Sequence, residues 1–224
     1  MSNTVKLPND AEAKALILEI GKRMYDKGFC AANDGNISCR AEDGNFWVTP
    51  SGVSKGFMKE EMLVKVDASG NIIEKNGDHK ISSEIKLHLK VYEERPDMNA
   101  VVHAHPPVST AFACARKDLV KPVVTEAALT LGEVLCAPFA VPGTPELAET
   151  IVPYVHGHAA CLLANHGALT WGKDLIQAYY RLETTEYYAN MLVLTGEMPV
   201  PVHVLDEEEM AAIVERRKGY GITF

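Results

Sequence analysis

The amino-acid sequence predicts an α/β fold in which helices cover the faces of a mixed or largely antiparallel sheet. Helix-like and strand-like segments alternate along the 224 residues, and 47% of these residues are hydrophobic. That length and composition suit one compact domain over residues 1–224 with a sizeable core. Short glycine-containing turns at 42–44 and 68–71 separate two strand pairs. Because such turns join antiparallel neighbours, a purely parallel, doubly wound sheet is not favoured.

The helices are predicted from their apolar spacing and their boundary residues. Asn9 and Thr144 are placed to cap two helices, Ser82 and Ser83 to cap another, and Pro96 to end it. The predicted helices cover 10–27, 82–95, 108–115, a segment from 145 onward, 174–194 and 206–218. The predicted strands cover 36–40, 45–49, 63–66, 72–73, the run that ends at 103–105, 161–164 and 168–171.

The composition excludes several classes of partner. The formal net charge is −8 and no long basic run occurs, so neither nucleic acid nor an anionic membrane is expected as a partner. No apolar run approaches the roughly 20 residues that span a bilayer, and no export signal is recognisable, so a cytoplasmic location is expected. The five cysteines form no CxxC pair, and we expect free, mostly buried thiols that do not act as nucleophiles.

Two histidines one residue apart end an apolar, strand-like run, Ala100-Val101-Val102-His103-Ala104-His105. Side chains at i and i+2 of a strand point to the same face, so both imidazoles can reach one metal ion. His166 follows a second apolar run. Three imidazoles with an open position are typical of catalytic zinc, and the alternative is that they are core histidines bonded to backbone carbonyls. The other histidines are interpreted as surface or structural: His79, His88, His156, His158 and His203.

Three short segments could bind an anion, because each combines glycine or hydroxyl side chains with a turn or a helix start. Glu84 follows the third segment and could act as a base beside a metal, or simply complement the helix dipole. Each segment alone is also compatible with an ordinary turn or cap, and neither a P-loop nor a GxGxxG motif occurs. The candidate residues are Gly35 and Asn36, Ser51 and Gly52, and Ser82 and Ser83.

Taken in order, these motifs resemble the class II aldolase/adducin family. The series is Gly-Asn-Ile-Ser at 35–38, Thr-Pro-Ser-Gly at 49–52, Ser-Ser-Glu at 82–84, His-Ala-His-Pro at 103–106 and Asn-His-Gly at 165–167. The resemblance runs from about residue 10 to 195 and includes the tail at 218–221. It implies a three-layer α/β/α fold around a central, mainly antiparallel sheet. It also implies a fourfold homotetramer with active sites between subunits.

The resemblance also implies roles for individual residues. His103, His105 and His166 become the ligands of one Zn²⁺ per subunit, although another divalent metal would fit the same set. Glu84 becomes the catalytic acid/base, and Tyr220, on a flexible tail of about 206–224, reaches a neighbouring active site. The phosphate-binding segments are matched by Gly35, Asn36, Ser51, Gly52, Ser82 and Ser83.

The implied reaction is the reversible cleavage of a ketose 1-phosphate, of the L-fuculose 1-phosphate type, into dihydroxyacetone phosphate and an aldehyde. A metal-stabilised enediolate would form on the way. Two positions differ from the pattern of the family's fuculose-type aldolases and leave the identity of the substrate undecided. Glu126 aligns with a tyrosine of those enzymes, and Pro142 aligns with a phenylalanine. Glu126 is either a surface charge or a second carboxylate in the pocket.

Other reactions of the family remain as alternatives. They are a decarboxylase of sugar-acid phosphates, a methylthioribulose-phosphate dehydratase and a pentulose-phosphate 4-epimerase, the last usually having Asp in place of Glu84. Two alternatives belong to different classes. One is a non-enzymatic, adducin-like interaction module, which would not need the metal site. The other is a zinc hydrolase on an unrelated fold, which would need no phosphate pocket.

Overall fold

A computed structural model describes residues 6–220 and 222, and a sheet of eight strands forms its centre. The strands are β1 Asn36–Arg40, β2 Phe46–Val48, β3 Val64–Val66, β4 Ile72–Lys75, β5 Ala100–Ala104, β6 Leu135–Ala137, β7 Ala160–Leu163 and β8 Gly167–Gly172. Their order in the sheet is β4-β3-β2-β1-β5-β8-β7-β6. β5 therefore lies near the middle of the sheet, between two strands from distant parts of the chain.

The sheet is mixed and mainly antiparallel, as the sequence predicts. Every neighbouring pair is antiparallel except β6–β7. The parallel strand β6, which is three residues long and lies at the sheet edge, was not predicted. At the opposite edge, β4 is exposed along its whole length.

Helices cover both faces, and this confirms the predicted three-layer arrangement. They are α1 Asp10–Asp26, α2 Ile85–Glu94, α3 Pro107–Ala115, α4 Thr125–Thr130, α5 Pro145–Thr150, α6 Val152–Val155, α7 Leu175–Gly196 and α8 Glu207–Gly219. Consecutive residues of β5 point to opposite faces, so Val102 packs beneath α1, α3 and α7 while Val101 packs beneath α2, α5 and α6. Each face has its own buried core.

Most helix starts follow the predicted caps, but the start of α2 is a correction. Asn9 accepts a hydrogen bond from the backbone N–H of Glu12, and Glu12 returns one, which forms a capping box. Ser82 and Ser83 do not cap α2, since this helix begins at Ile85 and has no side-chain cap bond. The Ser82 hydroxyl instead accepts from the backbone N–H of Glu84 at 3.3 Å.

The segment predicted as a flexible tail contains α8, which packs on α4. The Arg217 guanidinium donates to the backbone carbonyl of Leu129 at 3.1 Å. Gly221, Thr223 and Phe224 lie outside the described residues. The mobility of this tail and the single-domain boundary remain predictions.

The structure bears on the predictions about membrane spans and cysteines, but not on the predicted location. Across residues 6–220 and 222, no helix is long and apolar enough to cross a membrane, and the cytoplasmic location remains a prediction. The cysteines are free thiols, of which Cys30, Cys39 and Cys161 are buried. Burial raises the pKa of Cys30 to about 11 and that of Cys39 to about 12, and thiols with such pKa values are poor nucleophiles at neutral pH.

Gly167 allows β8 to begin directly against the end of β5. A Cβ atom at this position would lie 2.5 Å from the carbonyl oxygen of Ala104 and 2.5 Å from Cδ2 of His105. We expect Gly167→Ala to lower the free energy of unfolding by about 1–3 kcal/mol, because the backbone or the His105 ring must shift. Urea denaturation measures this change.

Gly196→Ala is the matched control at the end of α7. Nothing lies within 4 Å of a Cβ atom there, and the residue is exposed. The added methyl group should stabilise the helix by about 0.5 kcal/mol. An equal effect of the two substitutions would contradict the close approach at Gly167.

Candidate metal centre and acid/base site

The register of three neighbouring strands brings the predicted site residues to one end of the sheet. In the β1–β5 pair, Asn36 is opposite His103, and in the β5–β8 pair, Ala104 is opposite Ala168. His105 lies just beyond the end of β5. The β7–β8 turn passes through Asn165 at a φ of 58°, a left-handed conformation that asparagine tolerates, and His166 follows at once.

The three predicted histidines form one cluster. One ligand nitrogen from each of His103, His105 and His166 lies within 4.8 Å of the others. Nε2 of His103 and Nε2 of His105 are 3.2 Å apart. His103 is fully buried and the other two are partly buried. The three histidines that the sequence singled out therefore lie together in space.

The second ring nitrogen of two of these histidines is held by a hydrogen-bond acceptor. Nδ1 of His103 donates to the carbonyl oxygen of Ala168 at 2.9 Å, and Nδ1 of His105 donates to Oδ2 of Asp34 at 3.1 Å. These bonds leave both Nε2 atoms unprotonated, with their lone pairs facing each other. A cation between them relieves that repulsion, so the donor set fits a divalent metal, and three imidazoles suit zinc.

Glu84 lies beside this cluster at the start of α2. Its Oε1 is 3.2 Å from Nε2 of His166, and its Oε2 is 3.6 Å from Nε2 of His103. Asn36 Nδ2 donates to Glu84 Oε2 at 2.7 Å. Oε1 is buried and, apart from this contact with His166, has no hydrogen-bond partner among the described residues, which leaves it available for a proton or a metal.

The electrostatics of the cluster separate a charged carboxylate from neutral imidazoles. Burial opposes the ionisation of Glu84, yet His103, His166 and the Asn36 amide outweigh it and hold the pKa of Glu84 well below its usual range. Burial lowers the pKa of His103 to about 3 and also lowers that of His105. At neutral pH these imidazoles are therefore in the unprotonated form that binds metals.

The segments predicted to bind phosphate come close to Glu84. The backbone N–H of Ser51 donates to the carbonyl oxygen of Lys80 at 2.7 Å, which ties the turn at 49–52 to the chain entering Ser82 and Ser83. Asn36 Nδ2 lies 3.4 Å from Ser82 Oγ. Gly35 adopts a φ of 78°, and a Cβ atom there would meet the His103 carbonyl oxygen at 2.8 Å. Gly52 also has a positive φ, of 74°.

Three further residues that the sequence singled out do not belong to this cluster. The Tyr220 hydroxyl accepts from Arg216 at 2.9 Å, and the Tyr220 side chain is exposed at the end of α8. Glu126 is exposed at the start of α4 and lines a cleft of about 560 Å³ with Tyr180 and Gln177 of α7. Pro142 is exposed as well.

Sequence reasoning missed two residues that support the site. His88, interpreted as surface or structural, is 1% exposed, and its Nε2 contacts Oδ1 of Asn36. Asp34, which receives the bond from His105, was not singled out. The only local signal for Asp34 was a carboxylate directly before the predicted Gly35-Asn36 segment.

The buried His88 predicts a dependence of stability on pH. Burial lowers its pKa to about 4, although the negative charge of Glu84 acts in the opposite direction. An unfolded histidine titrates near pH 6.5, so between about pH 6.5 and 4 the unfolded state binds the extra proton, and stability is lost as the pH falls. We expect His88→Gln to remove up to about 1.4 kcal/mol per pH unit of this acid sensitivity.

Urea denaturation of chelator-treated protein at pH 7, 6 and 5 measures this effect without competition between protons and a metal. His156→Gln replaces an exposed histidine and serves as the control with the wild-type slope. An unchanged slope in the His88 variant would mean that folding does not lower the pKa of His88.

The chain is similar to known proteins over most of its length. Residues 15–193 match the family described as Class II Aldolase and Adducin N-terminal domain. The chain is 31% identical to a 3-oxo-tetronate 4-phosphate decarboxylase of Pectobacterium atrosepticum, with 90% of this chain and 93% of the relative covered. It is 35% identical to an L-fuculose phosphate aldolase of Methanococcus maripaludis, with 78% and 92% covered.

A solved structure of L-fuculose 1-phosphate aldolase superposes with a TM-score of 0.84 at 33% identity, covering 93% of this chain and 97% of that one. The chain belongs to the class II aldolase/adducin family.

Proposed function

We propose that the protein is a zinc-dependent lyase that reversibly cleaves a ketose 1-phosphate into dihydroxyacetone phosphate and an aldehyde. One observation carries this proposal, which is the Glu84 carboxylate held 3.2 Å from the third histidine of a metal-fitting cluster. A non-enzymatic adducin-like module would not need this combination. The alternative of a zinc hydrolase assumed an unrelated fold, and it is rejected because the fold is that of the aldolase family.

His103, His105 and His166 would hold the zinc ion. When bound, the ion would act as a Lewis acid on the substrate carbonyl and offset the negative charge that develops as the carbon–carbon bond breaks. The Ala168 carbonyl keeps His103, and Asp34 keeps His105, in the tautomer that presents Nε2.

Glu84 would move the proton at the reacting carbon. Its low pKa keeps it ionised, so its free Oε1 can take a proton from dihydroxyacetone phosphate in the condensation direction and return it in cleavage. Asn36 occupies Oε2 through its amide N–H, which leaves Oε1 as the oxygen that reacts.

The substrate phosphate would bind between the segments at 35–36, 51–52 and 82–83. Lys55 supports this pocket from within. Its ammonium group donates to the carbonyl oxygens of Asn33 at 3.0 Å and Val53 at 2.9 Å, and it is 2% exposed. It bonds to residues that flank the segments at 35–36 and 51–52 and places a buried positive charge behind them.

The functional unit would be a homotetramer with active sites between subunits. Exposed apolar side chains on α7 and near it, such as Tyr180, Tyr187 and Leu194, support an interface there. Tyr220 would then act on the aldehyde oxygen in a neighbouring subunit, consistent with its exposed position at the end of α8.

A decarboxylase of a sugar-acid phosphate is the second candidate. The 31% identity to a 3-oxo-tetronate 4-phosphate decarboxylase over 90% of the chain favours it. The same residues would serve, because loss of carbon dioxide next to a carbonyl also leaves negative charge to be stabilised and a carbon to be protonated. The dehydratase and the epimerase remain further alternatives within the family.

A paired assay tests both candidates. Release of dihydroxyacetone phosphate is measured on a panel of ketose 1-phosphates, and release of carbon dioxide on 3-oxo-tetronate 4-phosphate. We expect release from a ketose 1-phosphate that a chelator abolishes and one equivalent of zinc per subunit restores. Glu84→Gln should lower kcat by about 100-fold or more, since general acid–base catalysis contributes that much.

Lys117→Met, at an exposed position of the same protein, is the control for the assay. Carbon dioxide release alone would select the decarboxylase. Full activity in the metal-free enzyme would overturn both candidates.

Lys55→Met tests the phosphate pocket. Without the buried charge and the two backbone bonds, we expect KM for a phosphorylated substrate to rise by about tenfold or more, equivalent to about 1.4 kcal/mol, with a smaller change in kcat. Competitive inhibition by inorganic phosphate should weaken in parallel.

Lys80→Met is the matched control, because Lys80 is exposed in the neighbouring segment. Circular dichroism of both variants checks that they fold. Unchanged inhibition by phosphate in folded Lys55→Met would place the phosphate elsewhere.

A further inference from the structure

A chain of hydrogen bonds runs from the buried core to Glu84. Tyr92 and Ser38 are 2.6 Å apart at their hydroxyl oxygens, and Ser38 Oγ is 2.7 Å from Nδ1 of His88. Nε2 of His88 contacts Oδ1 of Asn36, and Asn36 Nδ2 is 2.7 Å from Oε2 of Glu84. Tyr92, Ser38, His88 and Asn36 are all buried.

The donors and acceptors of this chain have only one consistent order while Glu84 is ionised and His88 is neutral. A carboxylate can only accept, so Asn36 must present its amino group to Glu84 and its carbonyl oxygen to His88. His88 must then carry its proton on Nε2 and accept at Nδ1 from the Ser38 hydroxyl. That hydroxyl accepts in turn from the hydroxyl of Tyr92.

The surroundings of the chain favour the same order. Burial raises the pKa of Tyr92, which keeps its hydroxyl protonated as a donor, and lowers that of His88, which keeps the imidazole neutral. Phe46 stacks on Tyr92 with ring centroids 4.3 Å apart, so the aromatic end of the chain is fixed in position. A reversed Asn36 amide would set its carbonyl oxygen against the Glu84 carboxylate.

We propose that His88 is a positioning residue, which holds the Asn36 amide in the one orientation that fixes the Glu84 carboxylate beside the histidine cluster. Ser38 and Tyr92 hold the His88 ring in turn, because Ser38 bonds His88 and Tyr92 bonds Ser38 inside the core. The inference rests on the proposed function, in which Glu84 moves the proton. His88 itself touches neither the three clustered histidines nor the reacting atoms in this arrangement.

The first test does not depend on activity. Nitrogen-15 NMR of protein labelled at histidine reports the tautomer of each ring, and His88→Gln identifies the His88 signals by their loss. We expect His88 to be neutral and protonated on Nε2 from pH 6 to 8. The Nδ1-protonated tautomer, or an imidazolium, would overturn the inference whatever reaction the enzyme catalyses.

The second test is kinetic and compares two replacements of His88. The amide of Gln can donate to Asn36 and accept from Ser38, whereas Leu fills space and does neither. We expect His88→Leu to lower kcat by about 30-fold with little change in KM or in zinc content, because a misplaced catalytic group costs one to two orders of magnitude. His88→Gln should recover most of this loss.

Tyr92→Phe keeps the inference testable if His88→Leu does not fold. It preserves the ring and removes only the last hydroxyl, so kcat should fall by about two- to tenfold, the value of one net hydrogen bond. Tyr154→Phe is the control, since Tyr154 packs at the same core outside the hydrogen-bonded chain. Equal activity of the Leu and Gln variants, or a Tyr92→Phe variant as active as wild type, would overturn the inference.

Inactivity of the wild-type protein on every substrate in the panel would reject the proposed function. The tautomer of His88 would then decide alone whether the hydrogen-bonded order exists.

Discussion

The site depends on the register of β5 between β1 and β8. This register sets Asn36 opposite His103 and Ala168 opposite Ala104, so that the strand ends, the β7–β8 turn and the start of α2 meet at one place. A shift of one residue would turn His103 and Asn36 to the other face of the sheet. Gly35 and Gly167 make this meeting possible, since each backbone lies against an atom of the His103–His105 segment that leaves no room for a Cβ.

The second constraint is electrostatic. A buried carboxylate next to three imidazoles is costly unless its lone pairs and its charge are compensated. The Asn36 amide compensates one oxygen of Glu84, and a cation held by the imidazoles would compensate the other. The proposed roles of Glu84 and of the imidazoles therefore have one origin, which is the need to compensate a buried negative charge. Glu84 Oε1, the oxygen without an amide partner, is also the oxygen placed to exchange a proton.

The sequence predicts much of this architecture because the relevant signals are local. The capping residue Asn9 marks the start of α1, and the i, i+2 spacing of His103 and His105 identifies a shared face. The supporting residues carry no such signal, since Asp34 meets His105 across 71 positions and His88 meets Asn36 across 52. Sequence patterns report periodicity along an element, whereas these contacts depend on which elements the fold places side by side. The edge strand β6 was missed as well; it pairs in parallel with β7, whereas the strand pairs expected from the sequence were joined by short turns.

The same long separations have a consequence for how the protein acquires its site during folding. Bonds that span 48, 65 and 71 positions, from Asn36 to Glu84, from His103 to Ala168 and from Asp34 to His105, close only when the central strands have already assembled. Closing such loops costs entropy before the contacts return any energy, so no fragment of the chain can hold the cluster. Any ligand that bridges these groups would therefore stabilise the whole domain rather than one segment. Removal of that ligand would lower the free energy of unfolding of the whole domain.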